Sequence, residues 1–363
     1  MQELKPRSLL TKLFLIHNLE DKMVVLYILL AILVFGFMIL VHELGHFAFA
    51  KLFKVEINEF SIGMGPKIFS KRGKDGVLYS LRVLPIGGFV AMEGESEESE
   101  SPNAFTKKPA WQRFVIVIAG AIVNILVGAI IMTCVTASQP YYGSTVVDDF
   151  MENAVSYESG LRANDKIIKI GNERIYTYSE LSYEITRCGN KPVRCVVLRD
   201  EKEVTLTNFS FKSTDESGLY AEMDFFVKGE HKSFNTIIKN SYGSIKTSIK
   251  MVWDSLIDLL SGKYGIDQVS GPIGVTGAIS QAAQVSAYSF FFLIVVISMN
   301  LGIFNLLPIP ALDGGTLVFL LIEMITRKKV PENVENGFRI AGYILLFGLI
   351  IIVTFKDIVN LFV

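Results

Sequence analysis

Four stretches of this chain are apolar for close to the thickness of a bilayer, and nothing else in it limits the fold so severely. The first, Met23 to Val41, holds nineteen residues without a charge, and the second, FVIVIAGAIVNILVGAIIMTCVTA from Phe114 to Ala137, is interrupted mainly by Asn124. A third runs from Phe290 to Leu307 with Ser298, Asn300 and Asn305 inside it, and a fourth from Ile340 to about Phe355. A membrane-crossing helix needs about 20 apolar residues, somewhat fewer when flanking side chains snorkel. Backbone in lipid must satisfy its own hydrogen bonds, so such runs become helices. The expected fold is a polytopic α-helical membrane protein with about four transmembrane helices. One large core of buried helices is the alternative, but a hydrophobic content of 50% and a mean hydropathy of +0.41 lie above the usual soluble range.

Lysine and arginine set the orientation. Between the first two runs lie Lys51, Lys54, Lys67, Lys71, Arg72, Lys74, Arg82, Lys107, Lys108 and Arg113, and Arg327, Lys328 and Lys329 follow the third. The positive-inside rule places both connections in the cytoplasm and leaves residues 138 to 287, and both chain ends, outside. Residues 1–22 precede a second plausible start at Met23 and form an N-terminal extension to which no role is assigned. The first run is not a removable signal peptide, because no small-residue cleavage site follows it. A formal net charge of -1 gives no case for nucleic-acid binding. Three cysteines are too few for a disulfide framework; Cys188 and Cys195 are either one disulfide or two small packed side chains.

Directly after the first run the chain reads VHELGH. On a helix, His42 and His46 share one face at i and i+4, so both imidazoles can reach one ion, and the adjacent Glu43 can reach a water beside it. Imidazole and carboxylate donors suit zinc. Ionisable groups inside a membrane segment are expensive and are retained mostly for function. A third ligand is needed, and NLLPIPALDGG, Asn305 to Gly315, offers Asp313 beside two glycines, after Pro308 and Pro310 have broken the helix. Taken alone, Asp313 also reads as the cap of a following helix.

VHELGH with a distant NLLPIPALDGG resembles the bacterial site-2 protease family, peptidase family M50, membrane-embedded zinc metalloproteases of regulated intramembrane proteolysis. The resemblance extends to GFVAMEG, AGAIVNILVGA and VSGPIGV, and so covers most of residues 23–363. It implies one Zn2+ per chain held by His42, His46 and Asp313, with Glu43 as general base. It implies contact of Asn305 with substrate, with Pro308 and Pro310 beside it. It implies structural or substrate-gating roles for Asn124, Gly87, Gly88, Gly271 and Pro272, although Asn124 can equally serve as a helix-to-helix hydrogen-bonding residue. The alternating stretch from Phe60 to Val90 is expected to form a membrane-associated β-hairpin loop whose edge accepts a substrate strand.

After Gln139 the composition becomes that of a soluble domain. Residues 154–185 read as strand, a turn at Gly171-Asn172 and a helix capped by Ser179. The pattern resembles a PDZ domain of the circularly permuted bacterial protease type over 142–228, expected to be extracytoplasmic. Residues 234–285 are an amphipathic helix and linker. Ile238, Ile245, Ile249, Val252, Ile257 and Leu260 recur at helical spacing, so this helix either lies at the membrane interface with Trp253 near headgroups or packs against the outer domain. The two halves of the protease core are then 23–137, including the loop 51–113, and 286–363.

The implied function is an intramembrane zinc endopeptidase of the bacterial cytoplasmic membrane. Its implied partners are single-span substrates such as anti-sigma factors or remnant signal peptides, an upstream site-1 protease and the lipid bilayer. A metalloenzyme cleaving prenylated protein tails could share the HExxH chemistry, but the PDZ-like insertion and LDGG speak against it. The non-enzymatic alternative is a membrane adaptor that presents peptides through the outer domain, which would not need the full catalytic set.

Overall fold

A computed structural model describes residues 6–95, 99–213, 219–263 and 269–360. They form two compact units, one from the chain up to Gly128 together with Asp254 onward, the other from Ala129 to Trp253. Among the described residues four helices are long and apolar enough to cross a membrane, over Val25–Leu52, Ala110–Ser138, Ala287–Leu306 and Asn333–Val359.

In the first unit, helix α1 runs unbroken from Pro6 to Leu52. VHELGH therefore lies inside the helix, a turn and more before its end, and its register as one helical face is secured from both sides. Strands β1 (Ile57–Arg72) and β2 (Leu78–Met92) follow as one antiparallel hairpin folded on itself. Residues 57–62 pair with 88–92 on one side and with 78–81 on the other, while 67–72 pair with 78–82. The fold-back needs left-handed backbone, supplied by Gly63 and Gly87 at φ +85° and +91°. The root of the hairpin is a core of Phe60, Val90 and Met92 against Ile116, Val117 and Leu317. Its outer part exposes Ile68, Phe69, Val83 and Leu84 among its basic residues.

Helix α2 spans Ala110–Ser138. It meets α1 through small residues, as helices in membranes do when their backbones approach closely. A Cβ on Gly45 would come within 2.6 Å of the Ala119 carbonyl oxygen. The remaining helices of this unit are α6 (Pro272–Val285), α7 (Ala287–Leu306), α8 (Asp313–Thr326) and α9 (Glu332–Asn360). At 14 residues, or about 21 Å, α8 cannot cross a bilayer. Its far end is tied to α2 by a partly buried ion pair, Arg113 Nη2 to Glu323 Oε1 at 2.5 Å.

The second unit is β-rich. Its strands are β3 (Tyr141–Phe150), β4 (Lys166–Ile170), β5 (Glu173–Arg174), β6 (Val193–Arg199), β7 (Lys202–Phe209), β8 (Lys212–Ser213), β9 (Ala221–Glu222) and β10 (Phe225–His231). The main sheet has the order β10-β3-β4-β6-β7, with β5 returning on β4 and a separate β8-β9 pair. Helices α3 (Val155–Glu158) and α4 (Tyr178–Cys188) flank it, over a core of Val147, Leu161, Ile167, Leu181, Phe209 and Phe225. The turn at Gly171-Asn172 is present, with Gly171 at φ +56°.

One expectation changes here, and one open choice is decided. Helix α4 is capped by Thr177 and not by Ser179: the Thr177 hydroxyl accepts from Glu180 N, and the Glu180 carboxylate accepts from Thr177 N at 3.0 Å. Ser179 bonds instead to the Ser244 hydroxyl, 3.1 Å away. Cys188 and Cys195 are free thiols, the Cys188 thiol donating to the Glu184 carbonyl, and burial pushes both up to about 12.

Helix α5 (Phe234–Leu260) combines features of both readings offered for it. Its small polar face packs on the β-rich unit: Gly243 lies against Thr177, and Lys246 and Lys250 pair with Glu180 and Glu184 at 2.8 Å. The apolar residues point elsewhere, leaving Ile238, Tyr242, Trp253, Ile257 and Leu260 exposed.

Candidate metal centre

The three metal ligands come from two short pieces of chain. His42 and His46 stand one helical turn apart on α1, both nearly buried at 8% and 9% exposure. Asp313 is the first residue of α8 and Leu312 is its N-cap, so LDGG does start a helix but Asp313 is not its cap. The chain gets there by a tight reversal after α7. Ala311 adopts the left-handed backbone at φ +71°, a costly choice for a residue with a Cβ. A Cβ on Gly314 would lie 1.8 Å from the Leu307 carbonyl oxygen, so only glycine allows this reversal to close. From the outside, Gly342 of α9 sits against Pro310, where a Cβ would come within 2.2 Å of the proline ring.

The three ligand atoms form a nearly equilateral triangle. His42 Nε2 and His46 Nε2 are 3.1 Å apart, and they lie 3.1 and 3.3 Å from Asp313 Oδ2. Tetrahedral ligands at about 2.0–2.1 Å from zinc are separated by about 3.3 Å. Asp313 Oδ2 is buried with no hydrogen-bond donor assigned to it, a cost that a bound cation removes. The donor set, two imidazoles and a carboxylate, is the one zinc takes in hydrolytic sites with a further position left open. The residues present therefore fit one zinc ion.

Glu43 points from α1 toward the hairpin. The Val90 backbone amide lies beside its carboxylate, and Gly88 is its neighbour on the hairpin: a Cβ there would meet Glu43 Cγ in ordinary contact at 3.4 Å and the Ser61 carbonyl oxygen closely at 2.9 Å. A cavity of about 780 Å³ opens on His42, Glu43, His46 and Asp313, and its walls carry Glu95, Glu323 and Arg339. Glu95 is open to this cavity yet enclosed by protein, and that desolvation raises its carboxyl to about 6.

The other expected residues divide. Asn124 is fully buried on α2 beside His42, its amide nitrogen 3.4 Å from His42 Nδ1. Asn305 is buried in the last turn of α7, while Pro308 and Pro310 occupy the reversal, and none of the three lines the cavity. Gly87 abuts Met64. Gly271 and Pro272 open α6, where the Asp357 carboxylate of α9 accepts from Gly274 N at 2.9 Å.

Sequence reading missed Gly120. It stands on α2 against both rings, where a Cβ would fall 2.5 Å from His46 Nε2 and 2.8 Å from His42 Cε1. The i, i+4 relation of Gly120 to Asn124 was visible, but a glycine in an apolar helix reads first as a packing residue.

The sequence profile of peptidase family M50 matches residues 30–349. A candidate zinc metalloprotease of Clostridium acetobutylicum is 37% identical over 340 residues, covering 92% of this chain and 97% of the relative. One of Fusobacterium nucleatum is 34% identical over 92% of this chain and 99% of its own. The zinc metalloprotease RasP of Geobacillus kaustophilus is 28% identical over 91% of this chain and 97% of its own. With a zinc site of two histidines on a helix of membrane-crossing length and an aspartate at the start of a shorter one, the chain belongs to peptidase family M50 and is a multi-pass zinc metalloendopeptidase.

Proposed function

We propose that this protease hydrolyses peptide bonds in or near the membrane-spanning segments of single-span proteins, with Glu43 as its general base. The carrying observation is the position of the zinc site: His42 and His46 lie inside a helix long and apolar enough to cross a membrane, beside an open cavity. Zinc held by His42, His46 and Asp313 supplies a Lewis acid that brings the pKa of water toward 7 and polarises a peptide carbonyl. Glu43 takes the proton released as water attacks and passes it to the leaving amine.

A helical substrate hides its carbonyls in internal hydrogen bonds and has to be drawn out before cleavage. Residues 88–92 form an outer segment of the folded hairpin and run beside Glu43, which supports strand addition as the means of presenting an extended peptide. Pro308 and Pro310 act here through the shape of the reversal that carries Asp313, and Asn305, in the turn of α7 before it, orients substrate.

The β-rich unit is read as a PDZ domain on the extracytoplasmic side, from its strand, turn and helix order and from the basic residues that flank the spans on the opposite side. It admits trimmed substrates, anti-sigma factors or remnant signal peptides, after an upstream site-1 protease has acted. The exposed apolar stripe of α5 supports its lying at the membrane interface.

Cleavage of single-span model substrates by purified protein, with chelation and zinc add-back, tests this reading. Glu43→Gln is expected to keep its zinc and lose about 10²–10⁴-fold in rate, while Asp313→Asn loses zinc. Normal hydrolysis by Glu43→Gln would remove Glu43 from the mechanism. Peptide binding without any metal-dependent cut would favour an adaptor.

A further inference from the structure

We propose that Asn124 is a positioning residue of the zinc site, its side-chain oxygen accepting the Nδ1 proton of His42, and that one stripe of α2 orients both histidines. The inference rests on the zinc reading above. Both histidines turn Nε2 toward Asp313. A neutral imidazole that binds metal through Nε2 carries its proton on Nδ1, so each Nδ1 must find an acceptor. For His46 the acceptor is the Ile116 carbonyl of α2, at 2.9 Å.

For His42, the only polar group assigned to Nδ1 among the described residues is the Asn124 amide, whose nitrogen faces it at 3.4 Å while Oδ1 is buried without a partner. With zinc on Nε2 that arrangement sets donor against donor and leaves the Nδ1 proton, the amide protons and Oδ1 all unmatched. A half-turn of the amide keeps its shape and exchanges its two ends. It gives the Nδ1 proton and Oδ1 to each other, and leaves only the amide protons to be placed. Burial makes each unmatched group expensive, so the turned amide is favoured.

The competing role for Asn124, tying α2 to α7, does not use the amide. That tie is made by the Asn124 backbone carbonyl, which accepts from Ser298 Oγ at 2.8 Å and would be offered by any residue at this position. Ile116, Gly120 and Asn124 follow one another at i, i+4 and i+8, hence on one face of α2. The first accepts from His46, the second lets both rings approach, and the third accepts from His42.

The test is zinc affinity of the full chain in detergent, by competition with a chromophoric chelator, with the absorption spectrum of the cobalt-substituted protein and the melting temperature of the metal-free protein beside it. Asn124→Leu keeps the volume without an acceptor and is expected to weaken zinc binding about 10–100-fold and to alter the cobalt spectrum. Asn124→Asp restores an acceptor oxygen and is expected to stay within about threefold of the parent. Ser298→Ala lowers the metal-free melting temperature and leaves zinc affinity unchanged. Should Asn124→Leu not fold, Asn124→Ser, too short to reach the ring, takes its place with the same expectation. Parental zinc affinity in Asn124→Leu or its replacement, or an Asn124→Asp as weak as they are, overturns the proposal. A parent chain that binds no zinc overturns the zinc reading as well, so the two failures are distinguishable.

Discussion

In the β-rich unit, Asp165 is wholly buried, and its two oxygens take two bonds from Arg199 at 2.7 Å and one from Arg162 N at 2.9 Å. Asp224 in the same unit accepts from both the backbone and the hydroxyl of Ser156. In the helical unit, buried polar groups converge without matching one another: two imidazoles and a carboxylate crowd their ligand atoms within 4.8 Å, and Asp313 Oδ2 and Asn124 Oδ1 lack donors. The unpartnered buried atoms of the β-rich unit, among the described residues, are two neutral hydroxyls of α5, Ser241 Oγ and Thr247 Oγ1, whereas its buried carboxylates, which serve stability, are satisfied where they stand. Groups that serve chemistry are left to be completed by something that binds. The contrast separates a scaffold from a site within one chain.

The sharpest way to break that contrast is to fill the space that keeps the site open. Gly120→Val puts branched carbon where both histidine rings lie, and overpacking of this kind costs about 1–3 kcal/mol in an ordinary core. Here the rings cannot yield without leaving their ligand positions. The expected result is loss of bound zinc and of cleavage, read by metal analysis of the purified protein, with the melting of the β-rich unit unchanged. A zinc-replete Gly120→Val would show that the α1–α2 approach has slack and that the rings are held by something other than α2.

Much of this site is written in the sequence, because lipid makes polar residues conspicuous. His42, Glu43 and His46 interrupt an apolar run, and Asp313 follows two prolines. What remained hidden was backbone. Gly120 and Gly342 matter for the carbon they lack, and their neighbours, the histidine rings and Pro310, are distant in the chain. The true end of α1 at Leu52 was hidden because Lys51 looks like a boundary, whereas it pairs with Asp75 of the hairpin. In the β-rich unit the Gly171-Asn172 turn was legible because left-handed backbone has few suitable residues. The cap of α4 was misplaced by two residues, since Ser179 and Thr177 offer the same hydroxyl and only the position of Glu180 three residues on selects Thr177.

A cut in the β-rich unit should behave oppositely. Arg199→Leu leaves the buried Asp165 carboxylate with the Arg162 amide alone, and breaking a buried pair on one side costs about 3 kcal/mol. Thermal unfolding should show a lowered transition for this unit, while zinc content and affinity hold at the parental level. Loss of zinc in Arg199→Leu would mean that the stability of one unit is felt in the other, and the separation drawn above would fail.

The smallest effect tests whether the contrast follows the units or the function of each group. Glu59 lies in the hairpin of the helical unit, yet it is treated like the acids of the β-rich unit. Burial acts to raise its carboxyl, but donors from Ser80 at 2.5 Å, Lys67 at 2.9 Å and Arg82 at 2.7 Å outweigh this and hold it at about 2. A carboxyl depressed in the folded state contributes stability that is fully present above its unfolded value of about 4.3 and is lost as pH falls toward 2. Amide-exchange protection of residues 57–92, corrected for the intrinsic pH dependence of exchange, should therefore weaken through that window. In Glu59→Gln it should be lower at neutral pH, by less than about 1 kcal/mol for a pairing near the surface, with the difference vanishing at the acid end. Zinc affinity at neutral pH should not change. If Glu59→Gln releases zinc, the hairpin is part of the site's support, and satisfied polar groups in this unit serve the chemistry as well as the fold.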